Sequence, residues 1–415
     1  MNIRTMTENR KNKPFLFLAM GTQRVCSENN PPACTIIINA AFSSILASCL
    51  LPICGIENRR MHINRIATVF CNPMYINWND SINLISKLTL KRVWNAAKVW
   101  SSYQLSKISG KPVQWGLPVS ISFEPTTSCN LRCPECPSGL REFSRPIGML
   151  QQNFFRQTID DIAPELLYLI FYFQGEPYLN PHFLDMVQYA HSKGIYTATS
   201  TNAHYLTDEK ARQTVESGLD RLIISIDGTT QDVYESYRVG GKLEKVLAGA
   251  RNIVQWKNAL NSKTPFVFFQ FLVVKPNEHQ ITDIKQLAKE IGVDQVRFKT
   301  AQVYDYETDP NQLIPTIDKY SRYRKNSQGQ MEIKSGLQNH CWRLWSGNVI
   351  TWDGLVVPCC FDKDAMHQLG NLKMQSFRQV WQNDNYRQFR KELMTSRKNI
   401  DICANCSEGL KVWEK

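Results

Sequence analysis

The sequence predicts an α/β protein built on a parallel sheet. Short runs of β-branched and aromatic residues alternate with longer helical patterns through the middle of the chain, beyond Pro118. Parallel strands need long connections, and these connections cross the sheet with one handedness. The alternation therefore predicts either an open doubly wound sheet or a partial barrel, and periodicity alone leaves both open.

Six strands and five helices are predicted in alternation. The strands are Ser120–Glu124, Leu167–Phe173, Ile195–Ser200, Arg221–Asp227, Phe266–Val274 and Asp294–Lys299. The helices fit between them, near Gln151–Ile162, His182–Lys193, Asp208–Glu216, Leu243–Asn258 and Ile281–Ile291.

Composition indicates a large globular protein, and the charge of its main part gives no sign of nucleic-acid binding. The chain has 415 residues, 43% of them hydrophobic, which is ample for a core. Residues 1–112 hold 14 Lys and Arg against 4 Asp and Glu, so they carry +10 of the net charge of +12. The remaining residues are nearly balanced at +2, which excludes nucleic acid as the main partner.

The first 73 residues differ from the rest. They contain the apolar run Cys34–Ile56, which could be a membrane anchor or signal. Asn39 and Pro52 interrupt this run, which barely reaches the ~20 apolar residues of a spanning helix. We expect a poorly ordered leader or a start codon assigned upstream of the true one, with Met74 as the alternative start, and no membrane partner.

Residues 74–113 are predicted as a helical lead-in. Apolar residues recur there at spacings of three and four, which indicates an amphipathic helix that ends before Gly110 and packs on the main domain. These residues are Leu90, Val93, Trp94, Ala97 and Trp100. Residues 114–305 form the predicted core domain, 306–340 a polar linker, and 341–415 a small cysteine-rich domain whose folding needs a metal centre.

The thirteen cysteines indicate metal ligation. Five are scattered through the first 71 residues, and eight lie in three tight clusters, with none between Cys136 and Cys341. Clustered cysteines in a large chain favour a reducing compartment, so we expect the cytoplasm.

The first cluster follows the first predicted strand. Cys129, Cys133 and Cys136 are spaced Cys-x3-Cys-x2-Cys, so three thiolates can ligate three irons of a [4Fe–4S] cluster and leave the fourth iron open. A zinc site is the alternative, but no further Cys or His occurs before His182 to complete it.

The C-terminal cysteines can hold a second, fully ligated [4Fe–4S] cluster. Cys341 and Cys359 are separated by seventeen residues, and Cys403 and Cys406 by two. Adjacent side chains of an extended segment point in opposite directions, so we assign Cys359 as the ligand and leave Cys360 as a packing or spare residue. Zinc remains open as the alternative here.

The cysteine loop resembles the signature of the radical S-adenosylmethionine (SAM) superfamily, which implies a partial (β/α)6 barrel. Gln174-Gly-Glu-Pro177 resembles the Gly-Gly-Glu-Pro motif that holds the SAM amino group, with glutamine in place of the first glycine. Glu135 stands where many members have an aromatic residue. The resemblance implies SAM contacts from strand ends, namely Gly175, Glu176, Pro177, Ser200, Asn202, Ser225, Asp227 and Arg238.

The Cys341-x12-Gly354-x4-Cys359 element resembles the auxiliary-cluster extensions called SPASM and, with one cluster, twitch domains. Together the resemblances imply reductive cleavage of SAM to a 5′-deoxyadenosyl radical, hydrogen abstraction from a substrate, and electron transfer by the auxiliary cluster. They also imply a reductant such as flavodoxin or ferredoxin.

The substrate is left open as a peptide or protein, or a sugar or other small molecule. A non-catalytic zinc or iron-sulfur protein is the rival class, which would not need Glu176, Ser225 and Arg238 at the strand ends.

Overall fold

The computed structural model describes residues 78–334 and 337–406, and before them one pair of two-residue strands. Arg24–Val25 (β1) pairs antiparallel with Thr35–Ile36 (β2), in a unit that ends at Asn58. The expectations for residues 1–73 otherwise fall outside the described residues, as do those for 407–415.

Six parallel strands form the centre of the second unit, and each pairs with the next in chain order. They are Ser120–Phe123 (β3), Tyr168–Phe171 (β4), Tyr196–Thr201 (β5), Arg221–Ser225 (β6), Phe266–Val273 (β7) and Gln295–Thr300 (β8). A doubly wound sheet reverses its strand order part-way, whereas an unbroken order is that of a barrel. The prediction of a partial barrel is therefore confirmed.

Helices connect the strands at the predicted places, with bounds that agree within one residue. The described helices are Trp78–Ser86 (α1), Leu90–Ser109 (α2), Pro137–Leu140 (α3), Gln152–Ile162 (α4), Phe183–Ser192 (α5), Asp208–Glu216 (α6), Gln231–Tyr237 (α7), Leu243–Ala259 (α8), Ile281–Ile291 (α9), Arg343–Ser346 (α10), Phe377–Gln382 (α11), Asp384–Ser396 (α12) and Asp401–Ala404 (α13). The short helices α3 and α7 were not predicted, because two turns or fewer leave too little periodicity to detect.

The C-terminal region continues the same sheet. Gly347–Ile350 (β11) pairs parallel with β3, on the side away from β4. Leu355–Val357 (β12) and Gly370–Asn371 (β13) extend the sheet antiparallel. The first barrel strand is therefore shared between the barrel and the cysteine-rich region.

The segment predicted as a linker packs against the barrel end. It contains the hairpin Tyr323–Lys325 (β9) and Met331–Ile333 (β10). The buried Tyr323 hydroxyl accepts a hydrogen bond from Val303 N at 3.0 Å and lies 3.0 Å from Asn405 Oδ1. The hairpin thus joins the end of the barrel to the end of the C-terminal region.

Helix α2 packs on the barrel and ends before Gly110 as expected, but two residues of the apolar pattern lie outside the contact. Leu90 is 87% exposed and Trp94 67% exposed, while Arg92 and Asn95 are buried. Arg92 Nη2 donates to the carbonyls of Ala163 and Lys193 at 3.0 Å each. The register of the helix is set by polar groups that find buried partners, so Leu90 and Trp94 are left outside although Val99 and Tyr103 are buried.

The ion pair between Asp80 and Arg221 fixes α1 to the barrel. Both side chains are buried, and the Asp80 carboxylate also accepts a hydrogen bond from Tyr196. We predict that Asp80→Ala lowers the free energy of unfolding by about 3 kcal/mol or more, because it leaves the Arg221 charge buried without its partner.

Chemical denaturation of the two variants Asp80→Ala and Asp384→Ala checks this prediction. Asp384 forms an exposed pair with Arg387, whose loss should cost less than about 1 kcal/mol. Equal losses in the two variants would contradict the assigned role of the buried pair.

Candidate active site at the barrel end

The three-cysteine loop runs from the carboxyl end of β3 into α3. Cys136 precedes the first turn of α3, and its N–H donates to the Cys133 carbonyl at 3.3 Å. A Cβ at Gly139 would lie 2.5 Å from the Cys133 carbonyl oxygen, so only glycine allows α3 to fold back on the loop. This close approach holds the three cysteines in one compact turn.

The thiols of this loop are close enough to affect one another. All three are free cysteines. Burial raises the pKa of the Cys129 thiol to about 11, and Cys133 and Cys136 add to the shift. Neighbouring buried thiols of this kind become thiolates when a cationic centre compensates their charge, which fits an iron-sulfur ligand set.

The Gly175-Glu176 segment after β4 is locked to the cysteine loop. Gly175 has φ +73° and a Cβ there would lie 2.2 Å from the Thr126 carbonyl oxygen. Its N–H donates to Ser138 Oγ at 2.9 Å, and the Glu176 N–H donates to the Ser128 carbonyl at 2.7 Å. The position of the two segments relative to each other therefore depends on glycine at 175.

The Glu176 carboxylate organises the end of β5. It accepts hydrogen bonds from Thr201 Oγ1 at 2.7 Å and from Asn202 N at 2.8 Å. Burial raises the pKa of Glu176 to about 7, and these hydrogen bonds oppose the shift. Pro177 begins the turn that follows, and the Tyr178 N–H donates to the same carboxylate at 3.3 Å.

Gln174 occupies the position where the family motif has its first glycine. Its side chain is buried, and Oε1 lies 3.5 Å from Ser138 Oγ and 3.7 Å from Cys136 Sγ. The fold thus accommodates the glutamine side chain between the cysteine loop and β4, at a position where the family motif has no side chain.

The ends of β5 and β6 bring the next predicted residues together. Ser200 Oγ and Ser225 Oγ lie 3.3 Å apart. Asn202 Nδ2 donates to Asn130 Oδ1 at 2.8 Å and lies 3.9 Å from Cys129 Sγ. These strand ends therefore lie beside the cysteine loop, where the resemblance expects SAM.

Buried Asp227 forms an ion pair with the partly buried Arg238. Arg238 Nε donates to Asp227 Oδ2 at 2.5 Å, and Arg238 Nη1 lies 3.8 Å from Cys133 Sγ. The Leu272 N–H donates to the second Asp227 oxygen at 2.7 Å. Asp227 therefore orients the guanidinium, and Arg238 is the member of the pair that reaches the loop.

The C-terminal cysteines line one pocket. Its walls include Cys341, Cys359, Cys403 and Cys406, the four cysteines assigned from the sequence. Cys360 packs elsewhere, against the buried cluster of Val349, Val357 and Ala365. Among residues 78–334 and 337–406, no three His, Cys, Asp or Glu side chains meet the distances of a single-ion site. The identity of the bound group stays a prediction.

Arg397 is a member of the second site that sequence analysis missed. Its side chain is buried and lines the pocket, with Nη2 3.4 Å from Cys406 Sγ. Burial raises the pKa of Cys403 to about 11, Cys341 adds to the shift, and Arg397 opposes it. No motif marks this arginine, because it reaches the pocket only through the packing of α12.

Glu124 and Arg145 were also missed, and they join the two regions. Arg145 contacts both carboxylate oxygens of Glu124, at 2.8 and 2.5 Å, and both residues are buried. Trp352 N, in the turn after β11, donates to the same carboxylate at 3.2 Å. A carboxylate directly after a buried strand is the signal that could have identified Glu124.

Comparison with known families agrees with this geometry. Residues 123–258 match the radical SAM superfamily, and residues 341–407 match SPASM, described as an iron-sulfur cluster-binding domain. The chain therefore carries a radical SAM domain. It also carries a SPASM region, and the two regions imply [4Fe–4S] clusters and SAM as cofactors.

Several characterised proteins are similar over most of their length. A tungsten-containing aldehyde ferredoxin oxidoreductase cofactor-modifying protein of Pyrococcus furiosus is 25% identical, covering 69% of this chain and 86% of the relative. A PqqA peptide cyclase of Bradyrhizobium diazoefficiens is 23% identical, covering 65% and 74%. The structure of Streptococcus suis SuiB bound to precursor peptide SuiA shares the fold, with a TM-score of 0.52, 13% identity and coverage of 86% and 85%.

No helix in the described part of this radical SAM protein has both the length and the apolar character needed to cross a membrane.

The approach of Gly175 to Thr126 generates a prediction about SAM binding. Gly175→Ala should weaken SAM binding tenfold or more, because about 2 kcal/mol of strain and displacement falls on the Glu176 segment. Gly240→Ala is the matched control, since Gly240 also has positive φ but open space around it. Equilibrium dialysis with SAM measures both, and equal weakening in the two variants would contradict the role of the close approach.

The seven assigned cysteines predict the iron content. Anaerobically reconstituted protein should hold about eight irons per chain, and Cys403→Ala with Cys406→Ala should reduce this to about four. Iron and zinc are measured by inductively coupled plasma mass spectrometry. About four irons with one tightly bound zinc in the unaltered protein would reject the second cluster.

Proposed function

We propose that this radical SAM enzyme modifies a peptide or protein by abstracting a hydrogen atom from one of its residues. The observation that carries the proposal is the convergence of the strand ends of β4, β5 and β6 on the three-cysteine loop. Relatives with a peptide cyclase activity and a peptide-bound structure favour a peptide over a small molecule.

The strand-end residues have distinct proposed tasks. The backbone of Gly175 and Pro177, together with Glu176, holds the SAM amino group, and Ser200 and Asn202 contact SAM from the end of β5. Ser225 and Arg238 bind the carboxylate, for which a guanidinium held by Asp227 is suited. Asp227 is thus a positioning residue in this proposal.

Cys129, Cys133 and Cys136 would hold the first cluster, which would supply one electron for the reductive cleavage of SAM to methionine and a 5′-deoxyadenosyl radical. That radical would take one hydrogen atom from the substrate and leave as 5′-deoxyadenosine. The electron comes from a low-potential one-electron donor, a flavodoxin or a ferredoxin.

The auxiliary [4Fe–4S] cluster is proposed at Cys341, Cys359, Cys403 and Cys406. These four thiolates would leave no iron open, so the cluster would supply electron transfer, for example by accepting the electron lost when a substrate radical is oxidised. The free, clustered cysteines favour the reducing cytoplasm as the location of the enzyme.

Deuterium transfer tests the substrate class. The probes are deuterated peptides encoded by short reading frames beside the gene, and a matched set of deuterated sugars and sugar alcohols. If the enzyme modifies a peptide, at least one deuterated peptide of the first set should transfer deuterium to 5′-deoxyadenosine. Transfer only from the second set would reject the peptide proposal and favour a small-molecule dehydrogenase.

The two cysteine groups predict separable defects. Cys403→Ala with Cys406→Ala should retain 5′-deoxyadenosine formation under dithionite and lose the modified product, because only the first cluster has an open iron. Arg238→Ala should keep about eight irons and bind SAM at least about tenfold more weakly, since it loses a charge-assisted hydrogen bond.

Arg251→Ala, which changes an exposed arginine of α8, is the control for Arg238. The site assignment is wrong if the auxiliary variant, with its first cluster intact, makes no 5′-deoxyadenosine while Arg238→Ala behaves like the control. Liquid chromatography with mass spectrometry measures 5′-deoxyadenosine and product in the same samples.

A further inference from the structure

Helix α1 carries an exposed apolar stripe. Trp78, Ile82 and Ile85 are 61%, 59% and 49% exposed. At 3.6 residues per turn, these spacings place them along one line of the helix. The opposite side of α1 is the one attached to the barrel, through Asp80 and Leu84.

Helix α2 also exposes apolar side chains, near each of its two ends. Leu90, Trp94, Leu105 and Ile108 are exposed, and their spacings keep them within about 60° of one line on the helix surface. The buried side of the same helix is mostly polar, with Arg92, Asn95, Ser102 and Ser106. We call the exposed side chains of α1 and α2 the lead-in stripe: Trp78, Ile82, Ile85, Leu90, Trp94, Leu105 and Ile108.

The register of α2 is fixed, so the stripe cannot turn inward. Arg92 contacts main-chain carbonyls of two barrel segments, and Asn95 receives the Leu117 N–H at 2.9 Å while donating to the Leu117 carbonyl at 2.8 Å. Rotating the helix to bury Trp94 would expose these polar pairs and leave their partners unsatisfied.

Lysines lie on α2 and directly after it. Lys107 is exposed on α2 and Lys111 directly after it, whereas the exposed Lys91 is paired with Glu165, with 3.3 Å between Lys91 Nζ and Glu165 Oε1. The only acidic residue of the segment 78–112 is Asp80, which is buried against Arg221. Tryptophans together with lysines on one surface are typical of helices that lie at the interface of a bilayer with anionic lipids.

We propose that the lead-in stripe docks the enzyme on the surface of a membrane that contains anionic phospholipid. A second copy of the chain fits this surface less well, because a two-fold contact would bring the same lysines together. The bilayer satisfies both features, since its acyl region receives the apolar side chains and its headgroups attract the basic ones.

Vesicle sedimentation of the full-length reconstituted enzyme tests the proposal. The enzyme should bind vesicles of phosphatidylcholine with phosphatidylglycerol, bind phosphatidylcholine vesicles much less, and lose binding as salt is raised. Trp94→Ser with Ile108→Ser should weaken binding about tenfold or more. Lys107→Gln with Lys111→Gln should do the same, because each basic residue near an anionic surface contributes roughly fivefold.

Matched controls separate the stripe from general surface effects. Met374→Ser with Leu260→Ser removes exposed apolar side chains elsewhere, and Lys289→Gln with Lys263→Gln removes lysines from another helix end and loop. Both control variants should bind like the unaltered enzyme. Iron content and the circular dichroism spectrum must be unchanged in all four variants. We expect this because the altered side chains are exposed.

Three outcomes would overturn the proposal. The first is no binding to the anionic vesicles. The second is binding that persists undiminished in the stripe variants, which would assign the attachment to residues before Trp78. The third is a stable dimer in analytical ultracentrifugation that Trp94→Ser with Ile108→Ser dissociates, which would make the stripe an interface between two copies of the chain.

Discussion

The pairing of β3 on both of its edges is the constraint on which the rest of the structure depends. β4 pairs with one edge and β11 with the other, both parallel to β3. The cysteine loop leaves the carboxyl end of this strand, and the turn after β11 lies beside it. The position of the auxiliary region relative to the barrel is therefore fixed by main-chain hydrogen bonds, and the Glu124–Arg145 pair with Trp352 N reinforces it.

Each cysteine group is accompanied by a guanidinium, which is partly buried at the first group and fully buried at the second. Arg238 lies beside Cys133, held by Asp227, and Arg397 lies beside Cys406, with Nη1 3.3 Å from the His340 carbonyl. A thiolate-ligated cluster concentrates negative charge in a region of low dielectric, where a fixed positive group has a large effect. The two sites thus use the same electrostatic arrangement, although their surroundings and connections differ.

The lead-in helices show how polar contacts can override a hydrophobic pattern. An amphipathic helix usually buries its apolar stripe. In α2 the buried side instead supplies hydrogen-bond partners for main-chain groups at the barrel end, such as the Ala163 carbonyl and the Leu117 N–H. Leaving those groups unsatisfied in the interior would cost more than exposing a few apolar side chains, so the polar side faces inward.

The sequence by itself determined the six central strands, the five helices between them, the two cysteine groups and their resemblance to a family. Strand and helix periodicity is local, and so are the spacings of Cys129, Cys133 and Cys136 and the motif at Gly175 and Glu176. Only the tertiary structure decided between barrel and doubly wound sheet, paired β11 with β3 and turned the apolar side of α2 outward. It also brought Arg397 to the second site and set Asp227 against Arg238. These features depend on contacts between residues far apart in the chain, which no local pattern encodes.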